Sequence, residues 1–209
     1  MKNGINIVLA GVGGQGTLVA GKLLGMMAVK TGMDIKVSEV HGMSQRGGSV
    51  VTYVRIGEKV YSPVIEAGMA DFVLAFEELE ALRYASLLAA NGTMIINKQR
   101  IIPVTVKTGK GIYPEEILGE FLKASDSNAD SNEADRNGKA KILELDAQKL
   151  AAESGNIRCV NLIMIGVMAQ FTPIPDTIWM ECINETFPPK LQEINKTAFL
   201  KGKTLKVDI

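Results

Sequence analysis

The order of apolar and polar positions predicts a chain that alternates strand and helix. Residues 5–10 form a short apolar run that stops at glycines, the pattern of a strand buried on both faces. Between 17 and 30, apolar residues return at helical spacing (Leu18, Val19, Leu23, Leu24, Met27, Ala28), and Gly32 follows as a helix stop. Residues 35–40 read as a second strand. Residues 49–56, rich in Val, Thr and Tyr, read as a third, with Gly57-Glu58 turning into a hairpin partner at 59–61. Strands follow at 71–76 and 93–97, with a helix over 77–90 between them, closed by Asn91-Gly92. Residues 101–106 read as extended, and 114–123 as a helix with Pro114 at its first position and Glu115 and Glu116 in its first turn. A strand at 142–145, a helix to 153 capped by Asp146, and helices at 161–170, 176–184 and 188–199 complete the chain. This order predicts an α/β domain: a Rossmann-like, mixed, mostly parallel sheet with helices on both faces.

Length and composition narrow the picture. The 209 residues fit a single domain, with a polar insertion at 125–139 that holds no large apolar residue and reads as a surface loop or a disordered segment. Lysine plus arginine total 23, against 23 aspartate plus glutamate, so the net charge is zero. That balance argues against bulk nucleic-acid or membrane-surface binding, which calls for a basic excess. The longest strongly apolar run, 159–169, is interrupted by Asn161 and is too short to span a bilayer. The N-terminal run leads straight into a glycine loop and reads as a strand, not a signal peptide, so a cytoplasmic location is expected. Cys159 and Cys182 make no disulfide framework, and two thiols cannot supply the four thiolates of an iron–sulfur cluster. One histidine gives no metal site.

Two loops carry the candidate chemistry. Gly11-Val12-Gly13-Gly14-Gln15-Gly16 matches GxGxxG between a strand and a helix, with Thr17 adding a hydroxyl. Its glycines allow close backbone approach, and the helix start favours a phosphate or carboxylate. The same glycines also serve plain strand–helix packing. Glu39 is the acidic candidate for a ribose, should the ligand be a dinucleotide. The second loop gathers His41, Ser44, Gln45, Arg46, Gly47 and Gly48 after a predicted strand. Arg46 can clamp an anion through two hydrogen bonds or pair across a subunit interface. His41 brings the residue type that exchanges a proton near neutral pH, or it simply fixes the loop. His41 and Arg46 are candidates only, and the residues assign no catalytic group.

The two motifs GVGGQGT (11–17) and SEVHGMSQRGGSV (38–50) resemble the gamma-type domain of the 2-oxoacid:ferredoxin (pyruvate/ketoisovalerate) oxidoreductases. Within that family the likeness is nearest to the small beta subunits specific for indolepyruvate. RIGEKVYSPVI (55–65), NKQRIIPVTVKTGKGIYPEEI (97–117) and the end at 184–199 extend it over nearly the whole chain, and the 125–139 stretch departs from it.

The resemblance implies oxidative decarboxylation of an arylpyruvate with coenzyme A, giving the aryl-acetyl-CoA, carbon dioxide and reduced ferredoxin. It implies thiamine diphosphate and [4Fe–4S] clusters in the holoenzyme. This chain has no GDG tripeptide and no Asn-Asn pair for thiamine diphosphate, and too few cysteines for clusters. A large alpha subunit is therefore expected to carry both, with ferredoxin accepting electrons from the complex. Carried over by the resemblance, Gly11, Gly13, Gly14, Gln15, Gly16 and Thr17 form one wall of a coenzyme A or interface region. His41, Ser44, Gln45, Arg46, Gly47 and Gly48 form the other. A stand-alone dinucleotide-binding dehydrogenase or sensor, and a non-catalytic scaffold, remain as alternatives.

Overall fold

The computed structural model describes residues 4–42, 47–115 and 140–206. Six strands form one sheet in the order β2-β3-β1-β4-β5-β6. The central strand β1, Ile5–Val12, sends Ile7 and Leu9 to one core and Val8 to the other. Burial on both faces explains its unbroken apolar run. β4 (Ala70–Ala75), β5 (Leu88–Asn97) and β6 (Lys141–Leu145) add to it in parallel. On its other side β1 pairs antiparallel with β3, Ser49–Gly57, and β3 pairs antiparallel with the edge strand β2, Asp34–His41. The sheet is thus mixed and mostly parallel, as the pattern predicts.

Helix α1, Thr17–Lys30, links β1 to β2 and buries Leu23, Leu24, Met27 and Ala28. It ends where predicted. Gly32 takes φ +71, its N–H reaches Val29 O at 3.0 Å, and the Met33 N–H reaches Ala28 O at 2.9 Å. Those two bonds form a Schellman motif, and the left-handed turn at its centre favours glycine. Near β4, a short helix α2 spans Glu78–Arg83, and a single turn α3 spans Val104–Lys107. After β6 come α4 (Ala147–Glu153), α5 (Val160–Ala169), α6 (Asp176–Thr186) and α7 (Pro189–Lys203). Asp146 caps α4 as expected, its Oδ1 accepting the Lys149 N–H at 2.8 Å. The larger core lies between the sheet and α1 with α4–α7, where Trp179 and Phe199 meet at 5.4 Å between ring centroids. The smaller core, on the opposite face, is closed by α2 and Ile65.

Three predicted elements are replaced. There is no strand at 59–61, because both sides of β3 are already taken by β1 and β2. The Val60 N–H turns instead to Asp34 Oδ2 at 2.9 Å. The helix expected over 77–90 stops at Arg83, and the chain enters β5 at Leu88. The irregularity between the Ala70–Leu88 and Phe72–Thr93 pairs presses Gly92 against β4, where an added Cβ would lie 2.8 Å from Ala70 O. Pairing with β4 here overrides the helical preference of the alanines. Residues 101–106 form no strand, since β6 already occupies the free edge of β5. The segment makes the one-turn α3, and Ile101 gives its N–H to Glu77 Oε1 at 3.0 Å. The helix expected at 114–123, beyond Pro114 and Glu115, and the insertion at 125–139 lie outside the described residues.

Candidate functional site

The first glycine loop leaves β1 at the carboxyl edge of the parallel strands, where open α/β sheets bind ligands. Gly14 takes φ +103 and Gly16 φ +84. Gly16 is the N-cap of α1 and has no side chain to cap it, so the first-turn amides face outward with the positive end of the helix dipole. Thr17 is buried at 6% exposure. Gln15 folds back into the protein. Its Oε1 accepts the Val12 N–H at 2.6 Å, and its Nε2 donates to Phe76 O at 3.0 Å and Gln99 Oε1 at 2.9 Å. An added Cβ on Gly11 would lie 2.9 Å from that Oε1. Asn97 continues the network, donating to Phe76 O at 3.0 Å and accepting the Ala147 N–H at 3.0 Å. Gln15 is therefore the brace of the loop and is not aimed at its open face.

The second loop follows β2 and returns into β3. The Gly13 N–H donates to Gly48 O at 2.9 Å, so the two motifs meet. Gly47 takes φ +73 and leaves its surroundings open. His41 ends β2 as an exposed residue, with Nδ1 3.1 Å from Gly42 O. Ser44, Gln45 and Arg46 lie outside the described residues. Glu39 accepts the Thr52 hydroxyl at 3.2 Å, across the β2–β3 pair. In a dinucleotide fold β2 lies beside β1, so its terminal acid can reach the ribose. Here β3 intervenes, placing β2 two strand spacings away, about 10 Å. This strand order disfavours the dinucleotide reading.

Four residues at or near the loops, Ser49, Glu80, Glu77 and Asn161, were given no role by the sequence motifs. Ser49, directly after Gly48, donates to Glu80 Oε2 at 2.5 Å, with Tyr84 Oη 3.3 Å from the serine oxygen. Glu80 is 3% exposed, and burial pushes its carboxyl above the ordinary glutamate range against the pull of Ser49 and Arg83. Glu77, also buried, accepts the Glu80 N–H at 3.0 Å and the Tyr113 hydroxyl at 2.6 Å. Asn161 of α5 reaches the first loop: an added Cβ on Gly16 would lie 3.3 Å from its Nδ2. Its signal in the sequence was a polar residue interrupting an apolar run.

Both cysteines are buried, and burial pushes the Cys182 thiol up to about 11. Two buried thiols do not fit a [4Fe–4S] cluster. Among the described residues no group of three or more His, Cys, Asp or Glu could hold a metal ion. No helix among them is long and apolar enough to cross a membrane. Beside the loops, a groove of about 480 Å³ starts at Leu18 in the first turn of α1. It runs past Gly21, Gly25 and Met26 against Ile35 and Val37 of β2.

A family model described as pyruvate ferredoxin/flavodoxin oxidoreductase matches residues 6–205. The chain belongs to that family. It is 43% identical over 199 residues to the indolepyruvate oxidoreductase subunit IorB of Thermococcus kodakarensis, covering 94% of this chain and 93% of the relative. The IorB subunit of Pyrococcus horikoshii matches at the same identity and coverage. Among solved structures, a 2-oxoglutarate:ferredoxin oxidoreductase from Magnetococcus marinus, with 2-oxoglutarate, coenzyme A and succinyl-CoA bound, shares the fold at a TM-score of 0.69 and 18% identity. That match covers 97% of this chain and 31% of the larger one.

Proposed function

We propose that this chain is the small subunit of a heteromeric 2-oxoacid:ferredoxin oxidoreductase acting on indolepyruvate. The complex converts an arylpyruvate, coenzyme A and oxidised ferredoxin to the aryl-acetyl-CoA, carbon dioxide and reduced ferredoxin. The substrate reading rests on the 43% identity to archaeal indolepyruvate subunits. The observation behind this chain's own share is the Gly13–Gly48 hydrogen bond, which sets both motifs side by side at the carboxyl edge of the sheet.

In this reading thiamine diphosphate, which supplies the carbanion chemistry, and the [4Fe–4S] clusters, which carry electrons, sit in a large alpha subunit. The complex works in the cytoplasm, without nucleic-acid or membrane partners, and delivers its electrons to ferredoxin. The chain's own task is to hold coenzyme A. The bare amides at the start of α1 receive a phosphate oxygen, and Gly14, Gly16, Gly47 and Gly48 let the backbone approach it. Arg46 of the second loop is the residue type to bind the anion through two hydrogen bonds, and His41, Ser44 and Gln45 are the further polar candidates. Gln15, tied to Phe76 and Gln99, keeps the first loop rigid while the ligand enters.

Replacing Arg46 with Ala in the assembled complex tests this role. The KM for coenzyme A is expected to rise tenfold or more, with assembly unchanged. Loss of assembly with normal turnover per remaining complex would assign the second loop to the subunit interface instead.

A further inference from the structure

We propose that Asn161 is a further ligand-binding residue of this site, donating its Nδ2–H to an anionic oxygen of coenzyme A at the start of α1. The inference rests on the coenzyme A reading of the glycine loop. Asn161 lies on α5, a helix that otherwise packs apolar side chains into the core, and is only 5% exposed. A polar side chain so placed has to use both ends of its amide. The Oδ1 end accepts the Leu162 N–H at 3.0 Å, which fixes the orientation of the amide. The Nδ2 end has no partner among the described residues. Their one fully enclosed side-chain polar atom without a partner is Trp179 Nε1, so Asn161 Nδ2 reaches solvent.

It reaches solvent at the glycine loop. An added Cβ on Gly16 would lie 3.3 Å from this nitrogen and 3.8 Å from the Cγ behind it. Gly16 is thus glycine twice over, for its φ of +84 and for the space the Asn161 amide occupies. An uncapped helix start and a buried donor from a separate helix converge on one point. Both offer hydrogens and neither offers an acceptor, which calls for an acceptor oxygen, and the positive helix end favours an anionic one.

The test compares Asn161→Asp with the wild-type complex of this chain and its large subunit, with coenzyme A as the probe. The substitution is nearly isosteric. An aspartate oxygen still accepts the Leu162 N–H in the first turn of α5, where a carboxylate is favourable, so the melting temperature should hold. The donor, however, becomes an acceptor facing an anion. The KM and Kd for coenzyme A should rise tenfold or more, while kcat at saturating coenzyme A stays within twofold. The KM for indolepyruvate should not change. If Asn161→Asp unfolds the chain, Asn161→Ser, which keeps a first-turn acceptor and shortens the donor, is held to the same threshold. Unchanged coenzyme A binding, or a rise in the indolepyruvate KM alone, would overturn the proposal. Gly14→Asp puts a carboxylate on the open side of the same loop and, compared with Gly14→Ala, which carries the same backbone strain at φ +103 without the charge, separates the two levels. If it weakens coenzyme A binding and Asn161→Asp does not, the Asn161 assignment falls and the loop reading stands. If neither variant affects binding, both fall.

Discussion

Glu80 keeps a carboxyl group inside the protein beside Ser49, with the Arg83 guanidinium and the Glu77 carboxylate as its charged neighbours. Burial is the largest influence and raises its pKa above the ordinary glutamate value of about 4.3. A raised carboxyl pKa contributes stability that is fully present below the unfolded value and is lost as pH rises through the folded one. Glu80→Gln keeps the side chain neutral throughout. Its melting temperature relative to wild type should therefore climb as pH rises above the ordinary glutamate value of about 4.3 and level off once the raised folded value is passed. A pH-independent difference would mean that Glu80 is not the group that titrates. The position matters because Ser49 is the first described side chain after the second glycine loop, so ionisation of Glu80 pulls on that loop's anchor.

Among the elements, two glycines place α7 directly on α5. A Cβ on Gly166 would collide with Phe199 O, and one on Gly202 with Ile163 O. Backbone meets backbone there, so neither neighbour can yield as a flexible side chain would. Gly202→Ala should cost about 2–3 kcal/mol, a drop in melting temperature of roughly 4–12 °C for a chain of this size. Gly25→Ala is the contrast. It lies in α1, where an added Cβ meets only Ile35 Cδ1 at 3.9 Å, and helix propensity should raise stability by about 0.5–1 kcal/mol. Thermal melts of both variants check the pair, and similar losses would contradict the close helix contact. At this scale the sequence was legible wherever periodicity and end signals agreed, as in β1, α1 with its Gly32 stop, and α4 with its Asp146 cap. It misled where the decision lay with neighbours distant in the chain. The alanines at 89 and 90 favour a helix locally, yet the pairing of Leu88 and of Thr93 with β4 on either side of them holds the segment in a strand. The sequence at 59–61 suits a hairpin, yet β3 has no free side. The two loops stood out as motifs, but the bond between them and the reach of Asn161 to Gly16 arise only from folding.

At the scale of the whole molecule, this chain is built to be part of something larger. Its two buried thiols fit no cluster, and the relatives it matches at 43% identity are named as subunits. The loops open at one edge of the sheet, next to the groove that runs from Leu18 along β2. In the proposed complex this chain supplies one wall of a shared active-site region. The most direct measurement combines the purified chain with its large subunit without oxygen and follows ferredoxin reduction dependent on indolepyruvate and coenzyme A. No activity is expected from this chain alone, little from the large subunit alone, and full turnover on mixing, with indolepyruvate preferred over pyruvate and 2-oxoglutarate. Full coenzyme A-dependent turnover by the large subunit alone, unchanged when this chain is added, would contradict that role.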